Sequence, residues 1–171
     1  MDRAGINPEA PLYNMVLTFE IFGGLDVEIF DKAFGRLVQQ SDAMRTTFSM
    51  VDGKPMQQVR NDHELGLDFL DFSNKENQEA HLASWIKAHS RRQFDLSKQC
   101  FESALIKMSN ERFVWYINQH HLITDAWGVS VQYKTLVSYY RNIIRGLSKK
   151  SCILCNFRIT FLKFNHFCKL F

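Results

Sequence analysis

The chain has 171 residues, a hydrophobic fraction of 46%, an aromatic fraction of 13% and a formal net charge of +3. These values are typical of a globular domain and exclude a long disordered chain, and the small charge without a basic, aromatic-studded stripe argues against nucleic-acid binding. Because no run of about 18 apolar residues and no signal peptide is visible, we expect a soluble, cytoplasmic protein without a membrane-spanning helix.

The first elements are a strand and a helix. Residues 15–22 are β-branched and aromatic with rough alternation, which predicts a strand that ends at Gly23-Gly24. Asp26 is a suitable N-cap, and the apolar residues after it recur at helical spacing. These residues are Ile29, Phe30, Ala33, Phe34, Leu37 and Val38.

The middle of the chain predicts a hairpin, a loop and a second helix. Residues 44–51 and 56–59 predict two strands joined by an Asp-Gly turn. Residues 61–77 are polar and predict a loop. Residues 80–92 carry apolar side chains at helical spacing and predict a helix.

Residues 101–108 and 113–118 predict a second antiparallel pair of strands, and residues 126–144 predict a third helix with Gly146 as its stop. The order of elements is strand, helix, hairpin, helix, hairpin, helix. This order predicts an α/β fold, a two-layer sandwich in which helices pack on a mixed sheet.

The most informative run lies between the last strand and the last helix, at His120-His121 and Thr124-Asp125. Neighbouring strand residues point to opposite faces, so one histidine can face a cavity while the other packs inward. Asp125 can cap the next helix and accept a hydrogen bond or an ion pair. An imidazole suits proton transfer near neutral pH. From these residues alone, an acid–base site and a plain strand end followed by a helix cap both remain open.

A metal site is the weaker interpretation of the same run. The side chains of adjacent histidines diverge, and no third ligand lies nearby in the sequence. We therefore expect no metal.

His120-His121-x-x-x-Asp125-Ala126-Trp127 resembles the His-His-x-x-x-Asp-Gly signature of the condensation domains of nonribosomal peptide synthetases, which belong to the chloramphenicol-acetyltransferase-like superfamily. Residues 41–48 are similar to that family's Arg-His-Glu-x-Leu-Arg-Thr-x-Phe motif and keep its Arg-Thr-x-Phe end, which begins at Arg45. Three shorter pieces follow the family order. They are Tyr13-Asn14, Gly23-Gly24-Leu25-Asp26 and Phe94-Asp95-Leu96, and the resemblance spans roughly residues 11–145.

The resemblance implies that residues 1–147 are the amino-terminal lobe, truncated, of a chloramphenicol-acetyltransferase-like fold. It implies formation of an amide bond between two acyl groups that carrier proteins hold as thioesters. His121 takes the position of the catalytic histidine, which accepts a proton from the attacking amine or orients that amine. His120 takes the position of its structural neighbour.

The residues around His121 receive supporting roles from the same resemblance. Asp125 is expected to be structural and ion-paired with Arg45, because a carboxylate beside a catalytic loop is costly to bury alone. A backbone N–H just after Asp125 is expected to hold the developing oxyanion. Ala126 replaces the family's glycine, where its methyl group would resist a positive φ, and Trp127 is followed by Gly128 in place of a frequent serine.

No directly bound cofactor is expected. The implied partners are carrier-protein domains bearing 4′-phosphopantetheine, an adenylation domain and the missing carboxy-terminal lobe, with no nucleic acid and no membrane. Two alternative functions remain. One is another His-x-x-x-Asp acyltransferase of the superfamily, and the other is a non-catalytic lobe that binds a carrier protein.

Residues 148–171 differ in composition from the rest of the chain, with three cysteines, five phenylalanines and no acid. This shift predicts an atypical tail outside the family-like sequence. A membrane-surface helix and a zinc site at Cys152, Cys155, His166 and Cys168 are alternatives, although the spacing of the last two suits zinc poorly. In a reducing compartment we expect the cysteines to be thiols.

Overall fold

The computed structural model describes residues 13–61, 66–147 and 156–159, with backbone only for residues 147 and 156–159. In chain order the elements are β1 Asn14–Phe22, α1 Val27–Gln40, a 3₁₀ turn Ala43–Arg45, β2 Thr46–Val51, β3 Lys54–Val59, β4 Asp68–Asp71, α2 Gln78–His89, β5 Phe101–Ser109, β6 Arg112–His120, α3 Ala126–Leu147 and β7 Asn156–Ile159.

Five strands form the main sheet, in the order β4-β5-β6-β1-β7. β6 lies antiparallel between β1 and β5, β7 is antiparallel to β1, and β4 is parallel to β5. β2 and β3 form a separate antiparallel hairpin. The prediction of a mixed sheet is therefore confirmed.

Helices cover both faces of the main sheet. α1 and α3 pack on one face, where Phe30 and Leu136 lie with Trp115 in the larger core cluster. α2 packs on the other face, where Ile86 lies with Tyr116 in a second cluster. Because helices cover both faces, β5 and β6 are buried along almost their whole length. The predicted α/β sandwich is confirmed, and α2 adds a partial third layer to it.

The start of α1 is built as the sequence indicates. The Asp26 carboxylate accepts a hydrogen bond from the Ile29 N–H at 3.0 Å, which satisfies one of the free donors at the helix end. The Asp26 N–H donates to the Tyr140 hydroxyl at 3.0 Å. The N-cap therefore also links α1 to α3.

The sequence prediction missed one strand and placed the ends of two helices differently from the structure. The loop predicted over residues 61–77 contains β4, whose parallel partner β5 lies more than thirty residues later in the chain. A short, largely exposed edge strand has no local pattern that reveals such a partner. α3 ends at Leu147, one residue after the predicted stop at Gly146, and α2 ends at His89 rather than at residue 92. A single glycine costs a helix only about 1 kcal/mol.

Most of the predicted tail, including all four residues of the alternative zinc site, lies outside the described residues. Over residues 156–159 the backbone is strand β7, which pairs with residues 19–22 of β1, rather than the alternative helix. None of the described helices is long and apolar enough to cross a bilayer.

Candidate active site

Backbone hydrogen bonds hold the turn between β6 and α3. Two of them join the turn to neighbouring segments of the chain, and a third lies within the turn. The His120 N–H donates to the Cys100 carbonyl at 2.8 Å, and the His121 N–H donates to the Tyr13 carbonyl at 2.7 Å. The Ile123 N–H donates to the His120 carbonyl at 3.0 Å. The side chains of Ile123 and Thr124 are buried beneath the turn. The backbone that carries the two histidines is therefore fixed at the edge of the sheet.

The two histidines occupy different environments. His121 is exposed, and within residues 13–61 and 66–147 no side-chain or backbone group hydrogen-bonds its ring. His120 is half-buried, its ring lies 5.8 Å from that of Tyr13, and its Nδ1 accepts a hydrogen bond from the Leu122 N–H at 3.2 Å. Because Nδ1 is an acceptor, the neutral His120 ring carries its proton on Nε2.

Burial and the neighbouring charge of His121 lower the pKa of His120 below the usual histidine value. Protonation would also remove the Nδ1 acceptor used by the Leu122 N–H. His120 is therefore suited to brace the turn as a neutral ring, while His121 is the imidazole presented to the surface.

Asp125 caps α3 as the sequence predicts. Its carboxylate accepts a hydrogen bond from the Gly128 N–H at 2.7 Å, and its carbonyl accepts one from the Val129 N–H at 3.0 Å. The predicted ion pair with Arg45 is wrong. The Asp125 side chain is exposed, and its carboxylate already accepts the hydrogen bond from the Gly128 N–H. Its charge therefore loses little solvation and needs no buried counter-charge.

Arg45 instead fastens the base of the β2–β3 hairpin. Its guanidinium contacts the Asp42 carboxylate at 2.5 Å, the Asn61 side-chain oxygen at 2.6 Å and the Arg60 carbonyl at 2.9 Å. Its Nε is buried without an acceptor among the described residues. The Arg-Thr-x-Phe segment thus serves as scaffold in this chain.

Ala126 and Trp127 form the first turn of α3. Ala126 is helical, and the only described non-glycine residues with positive φ are Asp52 and Asn77. The expected conflict between the Ala126 methyl group and a positive φ therefore does not arise. Trp127 is 74% exposed, and the Lys134 ammonium lies 5.9 Å from its ring centroid.

The structure explains why residue 128 is a glycine, which the sequence alone does not show. A Cβ at this position would lie 2.8 Å from the Thr124 hydroxyl oxygen and 3.3 Å from a carboxylate oxygen of Asp125. Thr124 is β-branched and buried, so it has little freedom to move away. The glycine that replaces the family's frequent serine therefore accommodates Thr124 and the cap.

The sequence reasoning missed two buried amides just before the histidines. Gln119 pairs with Gln132 of α3 through two hydrogen bonds, of 2.7 and 3.1 Å. Asn118 points to the opposite face, where its amide donates to the His89 carbonyl at 3.3 Å and to Glu102 at 3.4 Å. Uncharged polar residues inside an otherwise apolar strand were the available signal, since buried polar groups need partners.

Glu102 joins several donors on the α2 face. Its carboxylate accepts from the Tyr116 hydroxyl at 3.1 Å and from Arg92 at 3.2 Å. A cleft of ≈ 420 Å³ opens beside Glu102 against the connector before β5, and His121 does not line it. This network ties α2 to the sheet on the face away from α3.

Cys100 lies next to the end of β6, where its carbonyl accepts the His120 N–H, and its thiol is unreactive. Its side chain is 1% exposed and forms no disulfide. Burial raises the pKa of its thiol to about 11, so the thiol stays protonated at neutral pH and is a poor nucleophile. Among the described residues no three histidine, cysteine or acidic side chains are grouped to hold a metal.

The chain is similar to parts of large peptide synthetases. The dimodular nonribosomal peptide synthase of Bacillus subtilis is 26% identical over 147 residues, which cover 85% of this chain and 6% of that protein. Cyclosporin synthetase simA of Tolypocladium inflatum is 32% identical over 142 residues, which cover 82% of this chain and 1% of that protein. The chain therefore spans only a small fraction of the length of these relatives.

Solved structures show the same fold. The starter condensation domain of rhizomide synthetase RzmA matches with a TM-score of 0.77 and 22% identity, over 85% of this chain and 37% of that one. The first condensation domain of the calcium-dependent antibiotic synthetase matches with a TM-score of 0.75 and 20% identity, over 85% of this chain and 36% of that one. The predicted lobe of a chloramphenicol-acetyltransferase-like fold is confirmed. Because the condensation-domain family model also matches residues 5–154, the chain belongs to the condensation-domain family of nonribosomal peptide synthetases.

Proposed function

We propose that this chain supplies the histidine-bearing wall of a site that forms an amide bond between two carrier-bound acyl groups, with His121 as the catalytic residue. The observation that carries the proposal is an exposed imidazole on a backbone anchored to Tyr13 at 2.7 Å and followed directly by a capped helix. An exposed and anchored imidazole meets the first requirement of an acid–base group, which is reach toward a substrate.

The reaction that fits this arrangement is acyl transfer from sulfur to nitrogen. The acceptor amine attacks the thioester carbonyl carbon, and a carbon–nitrogen bond forms while the carbonyl oxygen becomes an oxyanion. His121 accepts a proton from the attacking nitrogen. The tetrahedral intermediate then collapses, the carbon–sulfur bond breaks, and the departing sulfur receives the proton, so that an amide and a free thiol result.

The second requirement of the reaction is a hydrogen-bond donor for the oxyanion, and the start of α3 can supply one. The Gly128 N–H donates to the Asp125 carboxylate, whereas the Ala126 N–H has no acceptor in the described part of the chain. A free N–H at a helix amino terminus adds the positive end of the helix dipole to its hydrogen bond. Ala126 can therefore donate to negative charge that develops close to His121.

The partners follow from the reaction. The thioesters arrive on 4′-phosphopantetheine arms of carrier-protein domains, an adenylation domain loads the acceptor, and a carboxy-terminal lobe forms the opposite wall. Leu122 and Trp127, which are 58% and 74% exposed, offer apolar contacts to such an arm or to that lobe. Positioning two tethered reactants lowers the barrier in addition to proton transfer.

The test is amide formation between a donor-loaded and an acceptor-loaded carrier protein, followed by mass spectrometry of the intact carriers, with the chain completed by a carboxy-terminal lobe. We expect His121→Ala to lower the rate by about 10²- to 10⁴-fold, the usual contribution of a positioned acid–base group. His81→Ala is the matched control, because His81 is an exposed histidine on α2. Equal rates for the two variants would rule out the role of His121. Carrier binding without amide formation would favour the non-catalytic alternative.

A further inference from the structure

A pair of buried amides spans the turn that carries His121. Gln119 is 0% exposed and Gln132 is 6% exposed. Each side chain donates one N–H to the other's oxygen, at 2.7 and 3.1 Å, so the two planar amides form a closed ring of two hydrogen bonds. Hydrogen bonds weaken steeply when their distances or angles change. The ring therefore constrains the relative position of the two side chains more strictly than an apolar contact of the same size does.

The pair joins two elements rather than two neighbours. Gln119 is the next-to-last residue of β6, and Gln132 lies in the second turn of α3. His121 and the helix start at Ala126 both lie between them in the chain. The ring of hydrogen bonds therefore sets how far α3 lies along its axis relative to the end of β6.

This placement matters because His121 has no side-chain anchor of its own among the described residues. Its backbone is held to the residue just before β1 through the Tyr13 carbonyl, whereas the Ala126 N–H moves with α3. A shift of α3 would change the separation between the imidazole and that N–H without breaking the backbone anchor at Tyr13.

We propose that Gln119 and Gln132 are positioning residues that set the distance between the His121 imidazole and the amino terminus of α3. The inference rests on the proposed role of His121, and it assigns the pair a function beyond burial. Neither glutamine contacts substrate in this scheme. Both act through the register of the strand and the helix.

The test separates stability from positioning with near-isosteric methionine. Gln119→Met or Gln132→Met leaves one amide buried without a partner, so each single variant is expected to unfold at a temperature several degrees lower. Gln119→Met/Gln132→Met removes both amides and is expected to recover more than half of that loss. Gln57→Met, at an exposed position of β3, is the matched control.

The deciding measurement is the NMR signal of the His121 Cε1–H group in the chain itself. We expect this signal to be shifted or split in the double variant although its stability has recovered, and unchanged in Gln57→Met. A folded double variant with the wild-type His121 signal would show that the pair serves stability alone and would overturn the proposal. A double variant that does not fold would also overturn it, because the expected recovery of stability would have failed.

The completed domain gives a second measurement. The double variant is expected to lower kcat by about 10- to 100-fold with KM within about twofold, because a displacement near 1 Å has effects of this size. If His121→Ala left the rate of the completed domain unchanged, the proposed function would fail. The His121 signal would then still show whether the glutamine pair positions the imidazole, so the two failures are distinguishable.

Discussion

The β6–α3 turn and the β2–β3 hairpin both carry family-like motifs, yet they are built in opposite ways. The turn lies on the main core, with Ile123 and Thr124 buried beneath it. All six residues of β3 are exposed, and Arg45 holds the hairpin at its base. The comparison shows that the surroundings of a motif residue decide whether its side chain stays exposed or is used to hold the scaffold. His121 is exposed on a rigid base, whereas the guanidinium of Arg45 stabilises its own hairpin.

The largest expected effect tests the contrast in burial. Trp115 is 0% exposed, donates its indole N–H to Ser103 at 2.8 Å and belongs to the same core cluster as Ile123 of the turn. Trp115→Ala should lower the free energy of unfolding by about 3–5 kcal/mol. Met50 on the hairpin is 66% exposed, and Met50→Ala should change it by less than about 0.5 kcal/mol. Urea unfolding of both variants checks the pair, and similar losses would contradict the contrast.

The next effect concerns the fit of the turn itself. Gly128→Ala adds a helix-favouring methyl group, worth about 1 kcal/mol, but places it 2.8 Å from the Thr124 hydroxyl. We expect a net loss of about 1–2 kcal/mol, since overpacking outweighs propensity at a rigid site. Thr124→Ala/Gly128→Ala should be more stable than Thr124→Ser/Gly128→Ala, because only the first pair removes the obstructing oxygen. Thermal unfolding of both double variants measures the difference, and equal stability would show that the obstruction is unimportant.

A smaller effect separates the cap from an ion pair at Asp125. Asp125→Ala should cost about 1 kcal/mol through loss of the hydrogen bond from the Gly128 N–H. Asp125→Asn should stay within about 0.3 kcal/mol of the parent, because asparagine caps helices as well as aspartate does. Chemical denaturation provides the comparison. If Asp125→Asn were as unstable as Asp125→Ala, the charge of Asp125 would matter and the assignment as a simple cap would be wrong.

The smallest effect is a pH dependence from His120. Its pKa is lowered in the folded chain, so between the folded and unfolded values the unfolded state binds more protons. Its contribution to stability is therefore complete above the unfolded value, about 6.5, and is lost as the pH falls below it. The urea midpoint of the parent should fall more steeply from about pH 7.5 to about pH 5 than that of His120→Gln. Parallel curves would assign the acid sensitivity to other groups.

Local patterns predicted most of the elements next to the site. Residues 101–108 and 113–118 predicted the antiparallel strands β5 and β6, and Asp26 marked the start of α1. The same reasoning placed the histidines at a strand end and Asp125 at a helix cap, because strand ends and helix caps depend on a few adjacent residues. β4 escaped this reasoning because its parallel partner is remote in the chain.

The sequence by itself determined the strand–turn–helix around His121, since the end of the strand and the helix cap depend on residues close in the chain. Only the tertiary structure decided which side chains meet across it. Arg45 pairs with Asp42 rather than Asp125, and Gln119 meets Gln132 across the strand–helix boundary. The physical reason is that ion pairs and buried amides depend on burial and on the spacing of packed elements, which no local pattern records.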